Sequence, residues 1–298
     1  MDLHLLLDNL TNPALLFFFL GIIAVQLKSD LEIPPNSSKF ISLYLLLSIG
    51  FKGGQELAHS DLNLEILWSL LFGIALALIV PIYSYFILRR KFSVANSGAI
   101  AAAYGSVSAV TFVTAISFLE INKIPFSGHM VAVMALMEAP SIIIGLLLIS
   151  MYDKNNPVKF SVGKVLKHAL TNGSVLLILG SLVVGFLASE EQAQGIKPFT
   201  TDLFKGFLAV FLLDMGITSG KKLSSFLKKG WFALVFAIVI PIINGVIVAF
   251  VSAAFTESVG NRLLFAILAA SASYIAVPAA MRLAAPKANP SLYLPMAL

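Results

Sequence analysis

The chain reads as an all-α polytopic membrane protein: a five-plus-five inverted-topology repeat with two broken, crossing helices and a last span cut short. Three observations predict it. Mean hydropathy is +0.93, and 58% of the 298 residues are apolar against 12% charged, far from the balance of a soluble domain. Apolar runs able to cross a hydrocarbon core of roughly 30 Å recur from end to end. The second half also repeats landmarks of the first in the same order.

Spans are expected at 13–27, 40–51, 65–88, 94–118, 128–152, 170–188, 201–217, 231–255 and 262–281, with a tenth from 289. "NPALLFFFLGIIAV" is a retained first span rather than a signal peptide, because Asp2 and Asp8 precede it and no Lys or Arg comes before Lys28. With the N-terminus outside, the inward loops carry Arg89, Arg90 and Lys91; Lys154, Lys159, Lys164 and Lys167; Lys221, Lys222, Lys228 and Lys229; and Arg282 and Lys287. The outward loops have no net positive charge, so the positive-inside rule sets this orientation in the inner (cytoplasmic) membrane. The formal charge of +5 is spread over separate loops, which argues against a nucleic-acid partner.

The repeat carries most of the functional inference. "LTNPALLFFFLG" (10–21) recurs as "LTNGSVLLILG" (170–180). "LLLSIGFKGGQEL" (45–57) recurs as "FLLDMGITSGKKL" (211–223), pairing Gly50 with Gly216 and Gly54 with Gly220. "LIVPI" recurs as "VIPI", and "AAYGSVSAV" (102–110) as "AASASYIAV" (269–277). An odd number of spans per half threads the second copy in the opposite sense, an architecture typical of secondary transporters. The units are then 1–152, a cytoplasmic linker 153–169, and 170–298. "VMAL" at 133–136 runs on into a further apolar stretch while "PMAL" ends the chain at 298, so the last span is expected to lack its C-terminal part.

The fourth span of each half is interrupted by polar and small residues. Gly105 and Ser106 lower helical preference in the first copy, and Pro278 would free the carbonyl of Tyr274 in the second. A helix breaks inside a membrane where protein covers it or where it lines a cavity. Two such breaks would offer half-helix N-termini to a small anion, and carbonyls and hydroxyls to Na+. The anion candidates are Gly105, Ser106, Ser108, Thr111, Ser271, Ser273 and the backbone from Tyr274 to Pro278, Ala276 included. Small residues also line ordinary helix contacts in membranes, but the repeated position favours a site.

Glu138 and Asp214 are carboxylates inside spans, where ionisable groups default to function; with Ser108, Thr111 and Ser273 they are the sodium candidates. Asp214 could equally be an interfacial capping group, and Lys205 snorkels. His4, His59, His129 and His168 fall in or beside loops and read as solvated. The absence of cysteine excludes thiolate chemistry, and with its histidines in or beside loops a serine hydrolase lacks a base within reach. The chain is therefore not expected to be an enzyme. A membrane sensor that binds a ligand without moving it remains the rival from another class.

The segments "YGSVSAVTF" and "AASASYIAVPAAMRLAAPKANPSLY" (269–293) resemble the sodium-dependent bicarbonate transporter family of the cyanobacterial SbtA type, over almost the whole chain. The resemblance implies a homotrimer that carries bicarbonate inward with sodium, needs no organic cofactor, and is bound by a PII-like cytoplasmic regulator. Gly105, Val107, Ser108 and Thr111 match the family's first broken helix; Ser271, Ser273, Pro278, Arg282, Asn289 and Pro290 match the second. Glu138 stands where the family pattern has an aspartate. Tyr274 replaces another aspartate and Ala276 a serine, so the cargo is either bicarbonate or another small anion such as a monocarboxylate.

Overall fold

The computed structural model describes residues 13–59, 64–153, 173–227, 230–274 and 287–297, with single positions 163, 167, 171, 277, 281 and 285. Among them the chain forms helices and no strands: α1 (Pro13–Gln26), α2 (Pro35–Ala58), α3 (Leu64–Leu88), α4 (Val94–Gly105), α5 (Ala109–Ile121), α6 (His129–Tyr152), α7 (Gly173–Leu187), α8 (Glu190–Lys197), α9 (Phe204–Leu227), α10 (Trp231–Val251), α11 (Val259–Ala270) and α12 (Pro290–Ala297). Helices α3, α6 and α10, and the stretch Glu190–Leu223, are long and apolar enough to cross a membrane. Most of the expected linker 153–169 lies outside the described residues.

Local chemistry sets the helix ends. Helix α2 opens with proline at its first position, where the missing N–H costs no hydrogen bond. It extends well beyond the expected span 40–51, because Ser, Lys, Gln and Gly lower its hydropathy without breaking it. Ser189 and Gln192 form a capping box at the start of α8.

At the end of α2, the exposed His59 ring bonds the Gln55 carbonyl (2.7 Å) and the Glu190 carboxylate (3.2 Å). Its pKa is raised, first by that carbonyl and then by Glu190. A raised pKa means the charged ring favours this α2–α8 contact at low pH, and the gain fades as pH rises through the raised value. NMR titration of the histidine ring protons is expected to read above the ordinary value of about 6.5 and to drop in Glu190→Gln. An unchanged titration would assign the whole shift to the Gln55 carbonyl.

Two helix pairs exchange partners between the halves: α1 packs along α9, and α7 along α2. Glycines permit both contacts. A Cβ on Gly216 would land on the Phe18 carbonyl oxygen and 3.1 Å from the Gly21 Cα, while one on Gly50 would lie 2.6 Å from the Ile178 carbonyl oxygen and 2.8 Å from the Ser181 Cβ. Ile178 and Ser181 thus do for the second half what Phe18 and Gly21 do for the first.

Two buried apolar clusters divide the interior. One takes Val107 and Phe112, Met130 to Met137 of α6, and Leu268; the other takes Ala103 and Tyr104, Ile142 to Ile149 of α6, and Ala272. The helix breaks, and Glu138 on α6, sit at the seam between them. Away from it, α10 exposes Ile238, Ile242, Ile243, Val246 and Phe250, an apolar face suited to lipid. His129 corrects the sequence reading: it is buried, with its Nε2 3.2 Å from the Ser69 hydroxyl. His4 and His168 lie outside the described residues.

Candidate functional site: the crossing of two broken helices

The two half-helices α4 and α11 are built alike. Each has 12 residues and a serine N-cap: Ser93 accepts from the Asn96 amide and Ser258 from the Asn261 amide. Each ends on a serine in extended conformation, Ser106 (ψ 175°) and Ser271 (ψ 164°). Asn96 Oδ1 accepts the Asn289 N–H (2.7 Å) and Asn261 Oδ1 the Ser127 N–H (2.8 Å), so α4 is tied to the approach to α12 and α11 to the approach to α6. Sequence reading missed these asparagines, although the same S-x-x-N string, a serine followed three residues on by asparagine, opens both half-helices at "SVANS" and "SVGNR". The geometry pairs Ser106 with Ser271 and Ser108 with Ser273, two residues out of step with the string match.

Both breaks occur as expected, and they touch. The Ser108 N–H donates to the Ser271 Oγ (3.2 Å), and the Ser273 N–H donates to the Ala103 carbonyl (2.8 Å). The second break begins at Ser271, ahead of the position expected from Pro278, which itself lies outside the described residues with Ala276 and Arg282. Serine, which competes for its own backbone groups, is enough to end α11. Carbonyls near the ends of the two half-helices are already engaged. Ala102 accepts from the Ser141 hydroxyl, Ala103 from the Ser273 amide, Leu268 from the Ser271 hydroxyl and Ala269 from Asn244. Buried backbone groups in lipid must find partners, and here the protein supplies them.

Three cavities follow one another along α2. Its first turns, with Asp214, Thr218 and Lys221 of α9, line a vestibule of about 490 Å³. Its last turns, with Lys52, Glu56 and Glu120, line another of about 440 Å³. Between them, level with Leu46, lies a small central cavity of about 30 Å³ walled by Val107, Ser108, Ala109, Met134, Glu138, Ser273 and Tyr274. That is room for an ion or about one water. The cavity touches the N-terminus of α5, where unpaired amides concentrate roughly half a positive charge. Ser108 caps that terminus by accepting the Thr111 N–H at 3.2 Å, which leaves its hydroxyl hydrogen free to donate.

Of the candidates, Ser108, Ser273, Tyr274 and Glu138 meet at this cavity. The others do not. Gly105 is a packing residue, since a Cβ there would strike Ser141 and Pro81. Ser106 is buried and its hydroxyl has no partner among the described residues. Ser271 is spent on the crossing, and the Thr111 side chain is exposed. Asp214 lies in the 490 Å³ vestibule, where it accepts a hydrogen bond from the Ser38 hydroxyl. In the opposite vestibule Lys52 pairs with Glu120 at 3.0 Å and lies over the Phe204 ring.

A search of curated proteins found no match. The family model described as the Na+-dependent bicarbonate transporter superfamily matches residues 13–298. The match takes in both broken helices and the cavity where they cross. A multi-pass membrane protein with this extent of agreement belongs to the Na+-dependent bicarbonate transporter superfamily.

Proposed function

We propose that this chain is a secondary active symporter that carries bicarbonate inward with sodium, with its N-terminus outside the cytoplasmic membrane and its two halves oppositely threaded. The observation that carries the proposal is one carboxylate, Glu138, sharing a small buried cavity with the Ser108 and Ser273 hydroxyls where two broken helices cross. Oxygen donors of this kind suit a hard monovalent cation, and the α5 N-terminus suits an anion beside it. Sodium on Glu138 cancels the negative charge that would otherwise repel the substrate. Mutual neutralisation couples the two ions, and the exchanged helix pairs favour one bundle, built from both halves, that rocks against the other around the crossing.

Uptake of labelled bicarbonate into proteoliposomes tests the reading: an inward sodium gradient is expected to drive accumulation, and equal uptake without the gradient would overturn it. Tyr274, standing where the family pattern has an aspartate, favours a second cargo, a small monocarboxylate. Competition by acetate or formate that exceeds self-competition by bicarbonate would select it.

Ser108→Ala removes the α5 cap, worth about 1 kcal/mol, and the hydroxyl on the cavity wall. Uptake is expected to weaken about 5- to 10-fold, since about 1.4 kcal/mol corresponds to tenfold, with the same yield of monodisperse protein. Wild-type uptake kinetics would remove Ser108 from the site.

A further inference from the structure

Among the described residues, Tyr274 is the one common to the linings of the central cavity and of the Asp214 vestibule. Among the same residues, none is common to the central cavity and the Lys52 vestibule on the other side. Phe112, Ile116 and Met130 are buried in the apolar cluster that also holds Val107 and Met134 of the central cavity, and Ile116 lines the Lys52 vestibule. The two partitions are therefore unequal: one side chain, Tyr274, reaches both spaces across the thin partition toward Asp214, and no described side chain does so toward Lys52.

The thin partition is held from one end. Tyr274 belongs to the non-helical Ser271–Tyr274 segment that follows α11. Its hydroxyl donates to the Met215 Sδ on α9 at 2.9 Å. A thioether is a weak acceptor, and a tyrosine OH in an apolar wall has a better partner whenever water or an anion reaches it. The latch is thus strong enough to place the ring and weak enough to release it.

We propose that Tyr274 is a single-residue gate between the central site and the Asp214 vestibule, opened by swinging its ring off Met215, while the Lys52 side opens by larger helix movement. The gate deepens the transport reading and rests on it for its purpose, but its geometry is testable without any flux.

The chain contains no cysteine, so single cysteines report access directly. Met134→Cys places a thiol on the central cavity wall, and Ile33→Cys one in the Asp214 vestibule as a reference for side and folding. The probe is a small membrane-impermeant methanethiosulfonate applied to sealed vesicles of each orientation. Ile33→Cys is expected to react readily from one side, with or without Tyr274. Met134→Cys is expected to react slowly in the parent and at least about 10-fold faster with Tyr274→Ala, from the side that labels Ile33→Cys. Tyr274→Phe, which keeps the ring and loses the latch, should fall between.

An unchanged Met134→Cys rate in Tyr274→Ala, or acceleration from the opposite side, overturns the gate. Tyr274→Leu serves in place of the alanine variant if that one fails to match Ile33→Cys labelling of the parent. Accelerated labelling in a protein that accumulates neither bicarbonate nor a monocarboxylate would keep the gate and reject the transport reading.

Discussion

Gly216→Leu is expected to abolish the folded protein in detergent, giving aggregate in place of a monodisperse peak, while Gly206→Leu on the same helix leaves it intact. The difference is what each Cβ would meet. At Gly216 it would land on the Phe18 carbonyl oxygen, with the Gly21 Cα at 3.1 Å; at Gly206 it meets nothing within 4 Å. Backbone cannot retreat as a flexible side chain can, so α1 and α9 must separate along their shared length. Membrane helices associate through close packing rather than hydrophobic burial, and separation forfeits the whole contact. Overpacking of an ordinary core costs about 1–3 kcal/mol; a backbone collision at the tightest point of a helix pair exceeds that. A monodisperse Gly216→Leu protein would show that the α1–α9 contact is dispensable.

Glu138→Gln should show the largest loss of function: at least about a 100-fold reduction in sodium-driven uptake, in a protein that still folds. The amide keeps the shape and removes the charge proposed to balance the cation. Losing one partner of a buried ionic pair costs about 3–5 kcal/mol, and about 1.4 kcal/mol corresponds to tenfold. Glu138→Asp keeps the charge on a shorter arm and should retain part of the uptake, with a weaker half-saturation for sodium. Uptake by Glu138→Gln that follows the sodium gradient as in the parent would remove the carboxylate from the cation site.

Why one part of this arrangement was legible in the sequence and another was not has a physical basis. The breaks were legible because lipid tolerates no unpaired backbone: Gly105, Ser106 and Ser271 interrupt apolar runs where a lipid-facing helix would continue. Glu138 was legible for the same reason, since an ionisable group in such a run needs a purpose. The register of the second break was not, because Ala-Ser strings align equally well when shifted by two residues; the Asn96 and Asn261 amides, bonded to distant Asn289 and Ser127, fix it. Asp214 shows the other limit. Its position on a helix was readable, but whether it faced the central cavity or a vestibule depended on Tyr274 intervening. His129 read as solvated from its place at a helix start, yet α6 is sunk deeply enough there to bury it against Ser69.

The exchange of first helices between the halves bears on biosynthesis. During translation α1 emerges long before α9, and must wait beside lipid or a chaperone until nearly three quarters of the chain exists. Neither half is then a self-sufficient folding unit, since each lends the other its opening helix. Split within residues 153–169 and produced as two polypeptides in one cell, the fragments should be unstable singly and recover one another as a complex.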